Sequence, residues 1–206
     1  MRQSQERPLT HPAKLATPAD RTAAGDDRQH YDGVEIALHW TTAVLVGGLW
    51  LIAQGWSFLP RGGDGRHALQ SLHTSFGVLF ALVLLARILW RIGPGRRPAP
   101  AGSGLMELGA RLVHGALYLL LIAQVVSGPL WRWAGTAPLS PFGLFTIPSP
   151  FALTRDDGRI FGDIHAYVGN TIIVLAGLHA LAALFHHFVL RDGVLRRMLP
   201  ATSGRR

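Results

Sequence analysis

The sequence has no cysteine among its 206 residues. This absence excludes haem attachment through a CxxCH motif, thiolate-bound iron–sulfur clusters, cysteine-based zinc sites and disulfides. Charged residues are scarce, at 16%, whereas 49% of the residues are hydrophobic and the mean hydropathy is +0.24. The composition therefore favours an integral membrane protein. Any redox metal centre in it must use histidine, methionine, tyrosine or carboxylate ligands, and the ten histidines are the obvious supply.

The net charge of +8 does not indicate a nucleic-acid partner. The basic residues lie mostly at the ends of apolar segments, which is where membrane proteins place them. We therefore expect the lipid bilayer, and no nucleic acid, to be the partner of these charges.

Four apolar segments predict four membrane-spanning helices, at about 36–58, 69–92, 106–131 and 164–190. Each reaches the ~20 residues needed to cross a bilayer, and glycine or proline separates them. Residues 1–30 contain no apolar run and are predicted to be a disordered cytoplasmic tail. The predicted fold class is an all-α integral membrane four-helix bundle over 31–200, followed by a short cytoplasmic tail at 201–206.

The distribution of arginine and lysine predicts the orientation. Four spans place the N-terminal tail, the loop after the second span and the C-terminal tail on one side, and that side carries most of the basic residues. Because cytoplasmic segments are enriched in lysine and arginine, we expect both termini in the cytoplasm and a multi-pass protein of the bacterial inner (plasma) membrane.

Four histidines fall at two depths of the predicted bundle. His165 and His179 are fourteen residues apart on one helix, so both leave the same face, roughly 21 Å apart along the axis. His73 lies near the outer start of the second helix, and His39 near the cytoplasmic start of the first. Depth therefore pairs His73 with His165 and His39 with His179. Such pairs permit two bis-imidazole haem b centres, one in each leaflet.

Small residues lie one turn after these four histidines, at Ala43, Gly77, Gly169 and Ala183. They leave room for a porphyrin edge, although small residues also serve helix contacts in membranes.

Arg87 and His114 are the further candidate cofactor-binding residues. Arg87 follows His73 by fourteen residues, so it shares that face in the inner half and can pair with a propionate of the inner haem. Its alternative is an arginine that reaches the cytoplasmic headgroups. His114, in the third helix, could compete with His39 for the inner iron. We expect it outside the ligand set, as a propionate partner, a quinone contact or a satisfied polar residue.

Two other regions carry open alternatives. His186 stays near the face of His179 and is a candidate for proton exchange or quinone binding, whereas His187 is expected at the interface. The loop at 132–163 carries aromatic residues among prolines. It is expected to lie at the membrane surface, with a lid over the outer site or part of a quinone pocket as the alternative.

Four motifs resemble the bacterial cytochrome b561 family of four-helix di-haem membrane cytochromes. They are IALHW at 36–40, LHTSFG at 72–77, VHGALYLLLIAQVVSG at 113–128 and the stretch from HAYVGN to RRMLP at 165–200. The resemblance covers about residues 31–200. It implies two haem b groups per chain, with His39, His73, His165 and His179 as the axial ligands of the irons.

The resemblance also implies electron transfer at the membrane, coupled to the quinone pool. One branch is similar to superoxide oxidase, which passes electrons from superoxide at the outer face to ubiquinone. The electron donor is therefore expected to be superoxide or a periplasmic redox protein. The alternative is a haem-bearing anchor and electron-relay subunit of a larger dehydrogenase, of the hydrogenase or formate dehydrogenase type. A third possibility, from another class, is a four-span transporter or structural protein whose histidines satisfy one another.

Overall fold

A computed structural model describes residues 30–96, 98, 103–135 and 137–199 of the chain. Four long helices dominate it, and each is long and apolar enough to cross a membrane. They are α1 (Gly33–Gly55), α2 (Asp64–Ile92), α3 (Leu105–Ala134) and α4 (Arg155–Phe185). In the described ranges the only β-structure is an isolated bridge between Leu139 and Ile147. The predicted all-α membrane four-helix bundle is confirmed. The predicted N-terminal tail, apart from His30, and the C-terminal tail lie outside the described residues.

All four helices begin before the predicted apolar segments, whereas the α-helical part of α1 ends three residues early, at Gly55, and that of α4 five residues early, at Phe185. Helix α2 begins at Asp64, five residues before the predicted start, and α4 begins at Arg155, nine residues before it. A capping box starts α4: the Asp157 N–H donates to the Thr154 hydroxyl at 3.2 Å, and the Thr154 N–H donates to the Asp157 carboxylate at 2.8 Å. Hydropathy marks the part of a helix that suits hydrocarbon, whereas polar turns continue the helix outside it.

Helix α3 also continues past its predicted end, running through Pro129 to Ala134. Proline lacks an N–H and so removes one intrahelical hydrogen bond. Such breaks are tolerated in membrane helices where neighbouring groups compensate for the freed carbonyl. The Gly128-Pro129 pair is therefore an irregularity within a span and does not end it.

The bundle consists of two helical hairpins. Helix α1 packs along α2, and α3 packs along α4, whereas contacts between the hairpins are sparser. An apolar cluster of Phe80, Leu84, Leu121 and Ile172 joins the hairpins at mid-depth. Ile172 is seven residues from both His165 and His179, so this layer separates the two histidine levels.

The start of α1 and the ends of α2 and α4 lie at one end of the bundle. In accordance with the predicted orientation, we call it the inner end and the opposite end the outer end. Asp32 ties the inner end together. Its carboxylate accepts hydrogen bonds from the Glu35 N–H at 2.9 Å, the Trp90 indole at 3.0 Å and the Arg96 N–H at 2.9 Å. Partial burial opposes ionisation, but these bonds hold the pKa of the Asp32 carboxyl below its usual range. This carboxylate caps α1 and fastens it to the end of α2.

Candidate functional site: two histidine pairs at two levels

The four predicted histidines meet in two pairs across the bundle. At the outer level, the ring centroids of His73 on α2 and His165 on α4 are 6.1 Å apart. At the inner level, those of His39 on α1 and His179 on α4 are 6.4 Å apart. Two imidazoles on opposite sides of one metal ion, each with a nitrogen about 2 Å from it, have centroids about 6 Å apart. Both separations fit one metal ion between two rings.

Two imidazoles alone do not complete a metal site. Within the described residues, no group of three or more histidine, aspartate or glutamate side chains could hold a metal ion. An iron between each pair would therefore need its other ligands from a macrocycle, and a porphyrin supplies four nitrogens in one plane. This donor set suits a haem and does not suit a bare ion.

The outer pair has hydrogen bonds that fix the ring orientation. His73 Nδ1 lies 3.0 Å from the Leu49 carbonyl oxygen, which can only accept, so Nδ1 carries the proton. The amide nitrogen of Gln124 lies 3.0 Å from His165 Nε2, and the Ser127 hydroxyl lies 3.2 Å from His165 Nδ1. The amide donates to Nε2, so the proton of His165 is also on Nδ1. Both outer rings thus carry the proton on Nδ1, so Nε2 is the nitrogen that could bind a metal, at His165 once the Gln124 amide moves away.

The inner pair differs in its tautomer. Arg87 reaches from α2 and donates to His39 Nδ1 at 2.9 Å. Because a guanidinium has no acceptor, His39 Nδ1 holds the lone pair and Nε2 carries the proton. For His39 to bind a metal through Nε2, Arg87 must release Nδ1 and find another acceptor.

Several buried polar atoms face the bundle interior without a partner in the described structure. They are Arg87 Nε, the Tyr118 hydroxyl and Gln124 Oε1. The guanidinium carbon of Arg87 lies 5.3 Å from the centre of the Tyr118 ring, so two of these groups are adjacent. Unpaired buried donors are costly. A carboxylate such as a haem propionate would satisfy Arg87 and Tyr118 together.

His114 also lies at the inner level. Its ring centroid is 5.1 Å from that of His179. This separation is shorter than the about 6 Å of two imidazoles on opposite sides of one metal ion. The geometry therefore suits His114 as a neighbour of the inner pair, where its ring flanks that of His179.

Aromatic rings and small residues shape the outer level. The Trp56 ring lies 5.1 Å from His73, and the Trp131 ring lies 5.9 Å from His165. A Cβ at Gly128 would lie 2.9 Å from His165 Cε1, so α3 needs glycine there. Space beside Gly77 is open, as the porphyrin reading requires, whereas a Cβ at Gly169 would meet the Gln124 amide at 3.1 Å.

The loop before α4 folds over the outer end. A bridge between Leu139 and Ile147 closes it, and the Phe142 N–H donates to the buried Ser75 hydroxyl at 2.8 Å. Phe142 has a left-handed backbone (φ 52°), and its ring packs on Phe76. The loop is thus fastened to α2 two residues from His73. Leu144, Phe145 and Phe151 remain exposed, as a membrane-surface segment would have them.

The two histidines at the end of α4 contact residues of the following turn. His186 Nδ1 is 2.5 Å from the Asp192 carboxylate, and the His187 ring packs on Phe188. Five residues beside the histidines are not apparent from the sequence alone: Leu49, Tyr118, Gln124, Ser127 and Gly128. The last four lie in the motif at 113–128, but only the packing of α3 on α4 reveals their positions beside the histidines.

Comparisons with known proteins all point to one family. The family model of prokaryotic cytochrome b561 matches residues 30–201, which contain all four helices. Cytochrome b561 homolog 2 of Escherichia coli (strain K12) is 35% identical over 176 residues, which cover 85% of this chain and 94% of that protein. The probable superoxide oxidase CybB of Yersinia pestis is 30% identical over 179 residues, which cover 84% of this chain and 98% of that protein.

Proposed function

This chain belongs to the prokaryotic cytochrome b561 family of membrane b-type cytochromes, and we propose that it transfers electrons across the inner membrane between a periplasmic donor and the quinone pool through two haem b groups. The observation that carries this proposal is the presence of two histidine pairs at two depths, separated by an apolar layer. One pair alone would serve a single leaflet, whereas two pairs make a path along α4.

The residues of the chain would hold the haems as follows. His73 and His165 would hold the outer haem iron, with the Gln124 amide displaced from His165 Nε2, and the Leu49 carbonyl and Ser127 hydroxyl would accept hydrogen bonds from their Nδ1–H groups. His39 and His179 would hold the inner haem iron. Arg87 would then leave His39 Nδ1 and pair with a propionate, beside the Tyr118 hydroxyl. Bound haem supplies the reversible one-electron change of iron. The chain orients the ligands and keeps water from the layer between them.

Superoxide is the donor that we propose, because a relative with 30% identity over nearly its whole length is named a probable superoxide oxidase. The outer end carries exposed arginines that could attract a small anion, namely Arg61, Arg132, Arg155 and Arg159. The attraction is modest, since Arg159 is paired with Asp156 at 2.5 Å and other aspartates lie nearby.

The alternative is an anchor and relay subunit of a larger dehydrogenase. The exposed apolar side chains of the outer loop are the surface that a partner would cover. A partner that co-purifies in stoichiometric amount would favour this alternative, whereas turnover with quinone by the isolated chain would favour the first proposal.

The decisive experiment is a dithionite-reduced difference spectrum of the purified protein. We expect a b-type α-band and two haems per chain. Absence of the band would overturn the haem proposal. If the band is present, superoxide-dependent reduction of ubiquinone by the isolated chain in liposomes then tests the donor. A protein reduced by dithionite and unaffected by superoxide would keep the haems and reject this donor.

A further inference from the structure

The inner end of α4 changes from an α-helix to a π-turn at His186–Leu190 and then reverses direction. Arg191 has a left-handed backbone (φ 54°), and Gly193 also has positive φ (76°). Left-handed backbone is unfavourable for arginine, and such positions, like π-turns, are concentrated at functional sites. The reversal brings the short helix Leu195–Met198 back against the end of α4.

The turn is held from two sides. Asp192 accepts hydrogen bonds from the His186 ring at 2.5 Å and from the Val194 N–H at 3.1 Å. The Trp40 indole of α1 donates to the Met198 carbonyl at 2.8 Å, so the returning segment is fixed to the bundle. The reversal is therefore a built part of the fold, anchored to both α4 and α1.

A pocket of about 220 Å³ lies inside this reversal. Its lining residues are His187, Phe188, Arg191, Gly193 and Arg196. No carboxylate lines it, and in the described part of the chain no carboxylate pairs with Arg191 or Arg196. The nearest acidic residue in the sequence, Asp192, is bound by His186. Two arginines and a histidine thus converge on one cavity without an anion to balance them.

The position of the pocket indicates where such an anion would come from. The candidate span of α4 with its π-turn ends at Leu190, directly before Arg191. Phe188 and Val189 are 67% and 61% exposed, so an apolar surface that suits acyl chains adjoins the cationic pocket. The pocket therefore lies at the level of the lipid headgroups.

We propose that this pocket binds the phosphate group of an anionic phospholipid, with Arg191 and Arg196 as the phosphate ligands and Phe188 against the lipid chains. Arginine suits phosphate because its fork of N–H donors matches the phosphate oxygens. Arginines that served only as interfacial anchors would not need to share a pocket behind a left-handed turn. The adjoining apolar surface favours a lipid over free phosphate.

The test measures phosphatidylglycerol binding to the purified full-length protein in a neutral detergent, by native mass spectrometry. Two substitutions remove one ligand each: Arg191→Asn, which tolerates the left-handed backbone, and Arg196→Gln. We expect each to weaken binding about fivefold, since one arginine near a membrane surface contributes about that factor. The matched control is Arg111→Gln, which also removes one exposed arginine near the inner end, where Arg111 is paired with Glu107. It should leave binding unchanged.

Four further measurements make the result decisive. Phosphatidylcholine should bind to the parent protein more weakly than phosphatidylglycerol, and Arg196→Lys should retain part of the affinity. Circular dichroism and thermal unfolding identify any variant that has lost its fold. Equal loss in the Arg111→Gln control, or no loss in either pocket variant, would overturn the proposal. The proposal would also be overturned if millimolar inorganic phosphate displaced the bound lipid as completely as an excess of competing lipid does. That result would assign the pocket to a free anion.

Discussion

The outer and inner histidine pairs have nearly the same spacing but different surroundings. The outer rings contact neutral groups, and both carry the proton on Nδ1, while Nε2 of His165 accepts a hydrogen bond from the Gln124 amide. The inner level contains the cationic Arg87, which holds His39 in the opposite tautomer, and a third histidine, His114. The outer rings thus already have the tautomer that could bind a metal through Nε2 once the Gln124 amide moves, whereas at the inner level no carboxylate of the described residues pairs with Arg87.

This difference has a consequence for redox properties. A positive charge near a haem favours the reduced form, which carries one positive charge fewer, and so raises its midpoint potential. Electrons that enter at the outer level would then move energetically downhill toward the inner one.

Loss of a ligand should remove one haem and leave the other. His73→Ala and His39→Ala should each reduce haem content from about two per chain to about one, measured by pyridine haemochrome against protein concentration. His114→Ala is the control and should retain two. Two haems in His39→Ala, with a loss in His114→Ala, would instead make His114 the inner ligand.

Arg87→Gln should lower the midpoint potential of the inner haem and leave that of the outer haem unchanged within experimental error. One partly screened charge is worth about 1.4 kcal/mol, which corresponds to roughly 60 mV for one electron. A potentiometric titration followed at the α-band measures both potentials. Arg111→Gln, which removes an exposed, ion-paired arginine, should change neither. A shift of both haems by the same amount would argue against Arg87 acting at the inner level.

Ser127→Ala should raise the midpoint potential of the outer haem by roughly 30 mV, which is less than the effect of Arg87→Gln. The substitution removes part of a hydrogen bond worth about 1 kcal/mol. The Ser127 hydroxyl accepts from His165 Nδ1–H and so makes the ring a stronger donor to ferric iron. Ser127→Thr restores the hydroxyl and should restore the potential. An unchanged potential in Ser127→Ala would remove Ser127 from the outer site.

Asp32→Ala should destabilise the inner end by about 1 kcal/mol, the typical cost of losing a helix N-cap. The pKa of Asp32 is lowered in the folded state, so its stabilisation is present above the unfolded pKa and is lost as the pH falls through the folded one. In detergent at neutral pH, the parent should therefore unfold at a higher temperature than the variant. This difference in unfolding temperature should narrow below about pH 4. A difference independent of pH would mean that ionisation of Asp32 contributes nothing.

Most of the architecture could be predicted from the sequence because hydropathy and histidine spacing act along single helices. The fourteen-residue interval between His165 and His179 holds because α4 is continuous from Arg155 to Phe185. The early start of α4 was missed since hydropathy ignores polar turns, although Thr154 and Asp157 form a readable capping signal. Gln124 and Tyr118 could not be assigned, because their partners lie on other helices and depend on packing.

Because of the apolar layer of Phe80, Leu84, Leu121 and Ile172, the proposed electron transfer would depend on the membrane potential. The two levels are roughly 21 Å apart in a hydrocarbon core of about 30 Å. The four apolar side chains of this layer cannot carry a compensating proton, so an electron that crosses it would move charge through much of the membrane potential. At ~2.3 kcal/mol per charge for each 100 mV across the full membrane, the inward step is opposed by an interior-negative potential. The inward step would thus add to that potential, and dissipating the potential should speed the turnover of the protein.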